Sequence, residues 1–302
     1  MRHFLIALLL SACWFEHSSL AQGCGQKPTF RSRSSELVVL PVTVTDRDGR
    51  LITGLPREHF EVFDEGQPQE ITAFSSEDVP VSIALVIDDS GSMGNKLGEV
   101  VAASLAFARW SHPDDELLVI EFNDTVHDAL DGRRLAAADV PELQRALGAL
   151  KPDGQTALYD ALMDGLSHLD ESVHSRRILV VVSDGGDNAS RAGLDEVLER
   201  ARRANVTMYT IGLFDDNGHD ANRGVLKRLA DATGGERFLP KSPGPLLAAC
   251  ERIAKEIRNS YMLGYEPPEH DGRFHRVRVE LNGSGHKGLR VKTRPGYVAA
   301  EK

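Results

Sequence analysis

Only three cysteines occur in 302 residues, and no C-x-x-C pair is among them. A disulfide-stapled scaffold, a zinc knuckle and thioredoxin-type chemistry are therefore without support. No run of about twenty apolar residues is present, which excludes an internal membrane-spanning helix. Positive charge is in short supply, with 35 Lys and Arg against 45 Asp and Glu for a net charge of −10. General electrostatic affinity for nucleic acid or anionic lipid is excluded on that balance. Glycine (27) and proline (14) stay near average usage, so collagen-like and low-complexity classes fall away. H-E-x-x-H, G-x-S-x-G and G-x-x-x-x-G-K-S/T are all missing, as is any internal repeat of fixed period. What is there is 41% hydrophobic and 26% charged, enough apolar chain for the core of one large domain or two smaller ones.

The start of the chain reads as a targeting segment. Met1–His3 is a short basic start, Phe4–Ala12 is apolar, and Ser19-Leu20-Ala21 puts small residues at the −3 and −1 positions of a cleavage site. Residues 1–21 are thus expected to be a signal peptide, and the protein to be exported, either periplasmic or secreted. A second processing route is open, because Leu10-Ser11-Ala12-Cys13 resembles a bacterial lipobox and would place a lipid anchor at Cys13. In an oxidising compartment Cys24 and Cys250 are left to pair or to stay free. Residues 22–35 are polar and rich in Gly, Ser and Arg, and read as a linker.

Two textures follow. Residues 36–76 alternate apolar and polar positions around turn signals such as Asp46–Arg50 and predict an N-terminal β segment. From Val81 the runs become continuously apolar: Val81–Ile87, Glu116–Phe122, Arg177–Val182 and Val206–Leu213. Such runs mark strands buried on both faces. Helical spacing fills the gaps over Lys96–Trp110, Pro141–Leu150, Ala157–Leu169, Leu194–Ala204, Val225–Ala232 and Pro245–Arg258. Strand and helix in alternation predict an α/β domain over residues 80–259, with a Rossmann-like, doubly wound, mainly parallel sheet covered on both faces. Residues 260–300 return to β character. Arg273–Leu281 and Gly288–Thr293 are expected to form a hairpin across Asn282–Gly285, and this C-terminal β segment to join residues 36–76 in one small β unit.

In sheets of this kind ligands bind beyond the carboxyl ends of the strands. The first buried strand runs into Asp88-Asp89-Ser90-Gly91-Ser92, and the third into Ser183-Asp184-Gly185-Gly186. Gly154-Gln155-Thr156 opens a helix. Hydroxyl and carboxylate oxygens are hard donors that suit Mg²⁺, with Mn²⁺ or Ca²⁺ as alternatives, over soft metals. Asp88, Ser90, Ser92, Thr156 and Asp184 are accordingly the expected metal-binding set. Each piece alone has an ordinary reading: Asp88 and Ser90 as helix caps, Thr156 as an N-cap, Asp184-Gly185 as a turn. Their joint occurrence at strand ends is what points to an ion. Asp215–Asp220 is acidic but departs from EF-hand spacing and reads as a solvated loop, and His112, His127 and His174 read as surface or loop histidines.

The D-x-S-x-S, Thr and S-D-G set resembles the metal-ion-dependent adhesion site of von Willebrand factor A domains. The strings VLPVTVTDRDGRLITGLPREHFEVFDEGQPQEI, GQTALYDAL, NSYMLGYEPPEHDGRFHRVRV and RPGY extend the resemblance, over residues 36–300, to secreted bacterial VWFA-related proteins. It implies that Ser90 and Ser92 ligate the ion directly, that Thr156 does so directly or through water, and that Asp88 and Asp184 act largely through water. Asp89, between Asp88 and Ser90, is a departure, since a smaller or uncharged residue is common there. The resemblance also implies a binding module whose partner, a protein or surface ligand, presents a carboxylate, with coupling to the last helix as in some relatives. No general base stands apart from the site's own carboxylates, so catalysis is not expected. The other reading is a cell-envelope structural component in which the ion only stabilises the fold.

Overall fold

The computed structural model describes residues 37–214 and 222–301. The signal peptide and linker expectations, Cys13, Cys24 and the Asp215–Asp220 loop lie outside the described residues.

Four short strands come first: β1 (Val38–Thr45), β2 (Phe60–Asp64), β3 (Gln67–Gln69) and β4 (Ala73–Ser75). The central stretch then runs β5 (Ser82–Asp88), α1 (Leu97–Trp110), β6 (Glu116–Phe122), β7 (Val126–Asp128), β8 (Leu135–Ala136), α2 (Val140–Leu147), α3 (Leu158–Asp170), β9 (Arg177–Ser183), α4 (Leu194–Ala204), β10 (Val206–Gly212), α5 (Arg223–Thr233), β11 (Arg237–Phe238) and α6 (Pro243–Arg258). The chain closes with β12 (Tyr261–Tyr265), β13 (Phe274–Leu281), β14 (Arg290–Lys292) and β15 (Gly296–Val298).

The central sheet has the order β11-β10-β9-β5-β6-β7, with β8 also paired to β6. β5, β6, β9, β10 and β11 are mutually parallel; β7 and β8 add antiparallel edges. The alternation of side chains along a strand divides the core. Ile83, Leu85 and Ile87 of β5 face α1, α2 and α6, while Ala84 and Val86 face α3, α4 and α5. A sheet buried on both faces needs continuous apolar strands, and every residue of β5 and β10 is buried. From β5 the chain steps to β6 on one side and later to β9 and β10 on the other. The loops after β5 and β9 therefore flank the point where strand order reverses, which opens a crevice at the carboxyl ends.

The remaining strands form two four-stranded sheets, β14-β1-β12-β4 and β15-β13-β2-β3, closed around a core that includes Leu40, Val42, Val62, Tyr261, Leu263, Tyr265, Val279 and Tyr297. Strands from before and after the α/β stretch thus meet in one β sandwich. The expected hairpin of 273–281 with 288–293 does not form. β13 pairs with β2 and β15, whereas β14 crosses to β1 in the other sheet. Backbone partners offered by β1 and β2, far away in sequence, replace the local turn. The short β7 and β8 carry no alternation long enough to have been expected.

Candidate metal centre

The loop after β5 is shaped by its own first residue. Asp88 is fully buried; its Oδ1 accepts the Ser90 N–H at 3.0 Å and its Oδ2 accepts the Ser183 hydroxyl at 2.6 Å. One bond turns the chain so that Ser90 and Ser92 face the same side, and the other ties β5 to β9. Burial pushes the Asp88 carboxyl up to about 6, against the lowering effect of these hydrogen bonds. The Ser90 and Ser92 hydroxyls stand 3.2 Å apart, and the Ser92 hydroxyl donates to Asp184 Oδ2 at 3.0 Å. Asp184 Oδ1 in turn accepts the Gly186 N–H at 3.0 Å. At Gly185 the backbone has φ +76°, and an added Cβ would lie 2.5 Å from the Asn222 carbonyl oxygen. Only glycine fits that turn, and the turn aims Asp184 inward.

Thr156 is brought in by two sets of backbone contacts. Gly91 N donates to the Gly154 carbonyl at 3.2 Å and Asp153 N to the Asp89 carbonyl at 3.0 Å, which fasten residues 153–156 to the loop after β5. On the other side the Thr156 N–H donates to Asn188 Oδ1, and the Thr156 carbonyl accepts from the backbone of Asn188 and Ala189. The free N–H groups at the start of α3 need partners. Asp187 takes that of Tyr159, the Ser190 hydroxyl takes that of Asp160, and the Asp160 carboxylate in turn accepts the N–H groups of Arg191 and Ala192. Thr156 is thereby held, 6% exposed, between the loops that carry Ser90 and Asp184. It precedes the N-cap position of α3, which Ala157 occupies.

The fold thus draws all five sequence-predicted residues to one end of the central sheet. Ser183, which braces Asp88, and Asn188, which holds Thr156, were missed by sequence reasoning; the signal for both was adjacency to Asp184 in the same strand-end loop. Asp89, the unusual residue, is 4% exposed, and its Oδ1 is buried without a hydrogen-bond partner among the described residues. Burial, followed by the neighbouring Glu121 charge, pushes its carboxyl up to about 6. An all-oxygen donor set of two adjacent hydroxyls and a carboxylate fits a hard divalent cation.

The model of the von Willebrand factor type A domain matches residues 82–243. The chain belongs to the von Willebrand factor type A domain family. Among solved structures, a von Willebrand factor type A protein from Catenulispora acidiphila is 16% identical with a TM-score of 0.54, over 90% of this chain and 76% of that one. The vWF domain of the type V pili tip protein Mfa5 from Porphyromonas gingivalis is 15% identical, with a TM-score of 0.50 over 60% of this chain and 95% of that one. The D319A mutant of the PilB minor pilin from Streptococcus sanguinis is 13% identical, with a TM-score of 0.51 over 61% and 63%. No curated protein matches the sequence. At these identities the likeness is one of fold. The VWA match falls within the α/β stretch and leaves the sandwich strands outside it. No helix among the described residues is long and apolar enough to cross a membrane.

Proposed function

We propose that this VWA chain is an exported binding module, not an enzyme, that holds Mg²⁺ through Ser90, Ser92, Thr156, Asp88 and Asp184 and captures a partner protein or surface ligand through an acidic group. The observation that carries the reading is the Ser90–Ser92–Asp184 oxygen cluster at the ends of β5 and β9. A dication bound there supplies an electrophilic centre for an external carboxylate oxygen. The chain's own part is to leave that centre under-neutralised: two of its nearest donors are neutral hydroxyls, and Asp88 is turned away to brace Ser90 and Ser183. That solved pilus proteins share the fold supports an adhesive role.

The test is calorimetric titration of Mg²⁺, Mn²⁺ and Ca²⁺ into residues 22–302, beside Ser90→Ala and Asp184→Ala. Saturable binding that falls at least tenfold in both variants, with the circular dichroism unchanged, is the expected result. Absence of binding to the folded wild type overturns the reading. If the variants lose stability and partner capture together, the ion is a staple and the envelope-component reading replaces adhesion.

A further inference from the structure

A second cluster of metal-ligating groups lies in the β sandwich, away from the ends of β5 and β9. Glu269, Asp271 and His275 each offer a ligand atom, and these atoms lie within 4.8 Å of one another. Glu269 and Asp271 are exposed, while the His275 ring is 7% exposed. The ring is not free to turn. Its Nδ1 faces Asp64 Oδ1 at 3.3 Å, and its Nε2 faces Asp271 Oδ1 at 3.0 Å.

The protonation of that ring follows from its surroundings. Asp64 is buried, and its Oδ2 accepts the hydroxyls of Tyr265 at 2.9 Å and Tyr297 at 2.8 Å. Burial holds both phenols well above their ordinary range, so each remains a donor and Asp64 acts as an acceptor. The imidazole nitrogen facing Asp64 must then be N–H. This leaves Nε2 with a lone pair aimed at a carboxylate oxygen 3.0 Å away, an acceptor against an acceptor. A proton or a metal ion held between them reconciles the two. Glu269 adds a third carboxylate. Glu301 lies over the same turn, its Oε1 within 2.4 Å of where a Cβ on Gly272 would stand. The largely exposed Arg273 places its Nε 3.8 Å from Asp271 Oδ2.

We propose that Glu269, Asp271 and His275 form a second cation site, selective for a borderline dication such as Zn²⁺, with His275 Nε2 as its nitrogen ligand and Asp64 as the buried carboxylate that orients the ring. A carboxylate behind a metal-bound histidine fixes the tautomer and raises ligand basicity. An ion at this site takes the Nε2 lone pair, for which a proton competes. The nitrogen donor sets this site apart from the all-oxygen site at the ends of β5 and β9, which suits Mg²⁺. The two sites are independent, and this one stands whether or not the first binds an ion.

The test is calorimetric titration of Zn²⁺ into the full chain, with accessible thiols blocked and Mg²⁺ saturating. One Zn²⁺ equivalent is expected, weakened about ten- to hundredfold in Glu269→Gln and Asp271→Asn and unchanged in Ser90→Ala. Both substitutions are at exposed positions, and circular dichroism is expected to be unchanged in each. In ¹⁵N spectra Zn²⁺ is expected to convert His275 Nε2 from a protonated to a metal-bound signal. Zn²⁺ binding that is absent, is indifferent to Glu269→Gln and Asp271→Asn, or disappears in Ser90→Ala overturns the proposal. So does a His275 ring that stays doubly protonated with Zn²⁺ in excess.

Discussion

Ser183 shows how a residue with no contact to a partner still sets the geometry of the candidate site. Its hydroxyl donates to the buried Asp88 carboxylate and also accepts the Gly185 N–H at 2.9 Å. Ser183→Ala leaves a buried carboxylate short of a donor, at about 1–3 kcal/mol of stability without the ion. Urea denaturation checks this, and Mg²⁺ affinity is expected to fall less than in Asp184→Ala. Cys250 behaves differently. It is buried, has no disulfide partner among the described residues, and as a thiol is pushed up to about 12 by burial. The folded pKa is raised above the unfolded one, so this thiol's contribution to stability is intact below pH 9 and lost as pH rises toward 12. At pH 8 iodoacetamide is expected to leave Cys250 unmodified in the reduced native protein and to label it on unfolding, as read by mass spectrometry. Rapid native labelling would refute the burial argument.

At the scale of elements, close approach matters more than propensity. Gly235 lies between α5 and β11, where an added Cβ would come within 1.8 Å of the Met208 carbonyl oxygen on β10. Gly235→Ala is expected to destabilise by about 1–3 kcal/mol or more, measured by thermal denaturation. α6 is bound through a buried charge. Glu256 is fully buried and meets Arg252 Nε at 2.8 Å and Lys292 Nζ, on β14, at 2.7 Å. Arg252 also donates to the Gly49 carbonyl at 2.6 Å, and Arg258 pairs with Asp78. The last helix of the α/β stretch is therefore tied to the sandwich strand β14 and to the loop after β1. Lys292→Met removes one partner of a buried carboxylate and is expected to cost about 1–3 kcal/mol in urea denaturation, with m unchanged.

For the whole molecule, the joining of both chain ends has a consequence for truncation. β1 pairs with β12 and β2 with β13, so a chain ending at residue 259 keeps half of each sheet. Leu40, Val42 and Val62 would then face solvent, and the unpaired edges would recruit other chains. Such a truncation is expected to bind ANS and to aggregate in light scattering, while the full chain stays dispersed. A monodisperse truncation would show that the α/β stretch tolerates loss of the sandwich.

The α/β alternation and the parallel sheet were legible in the amino-acid order, because long apolar runs bounded by turns suit strands buried on both faces; the five oxygen-bearing residues were legible as a pattern at strand ends. Helix ends agreed to within a few residues, as they depend on local spacing. The parting of β13 from β14 came from packing of the whole chain, since strand pairing is a choice among distant backbones that no local turn signal records. The same holds for Ser183 bracing Asp88, for the orphaned Asp89 oxygen, and for His275, which reads as one more polar residue in an alternating strand. Its meaning comes from Asp64, 211 positions earlier, and from two tyrosines on other strands. Burial and hydrogen-bond partnership across such separations are properties of the packed molecule, and they set the chemistry of each group.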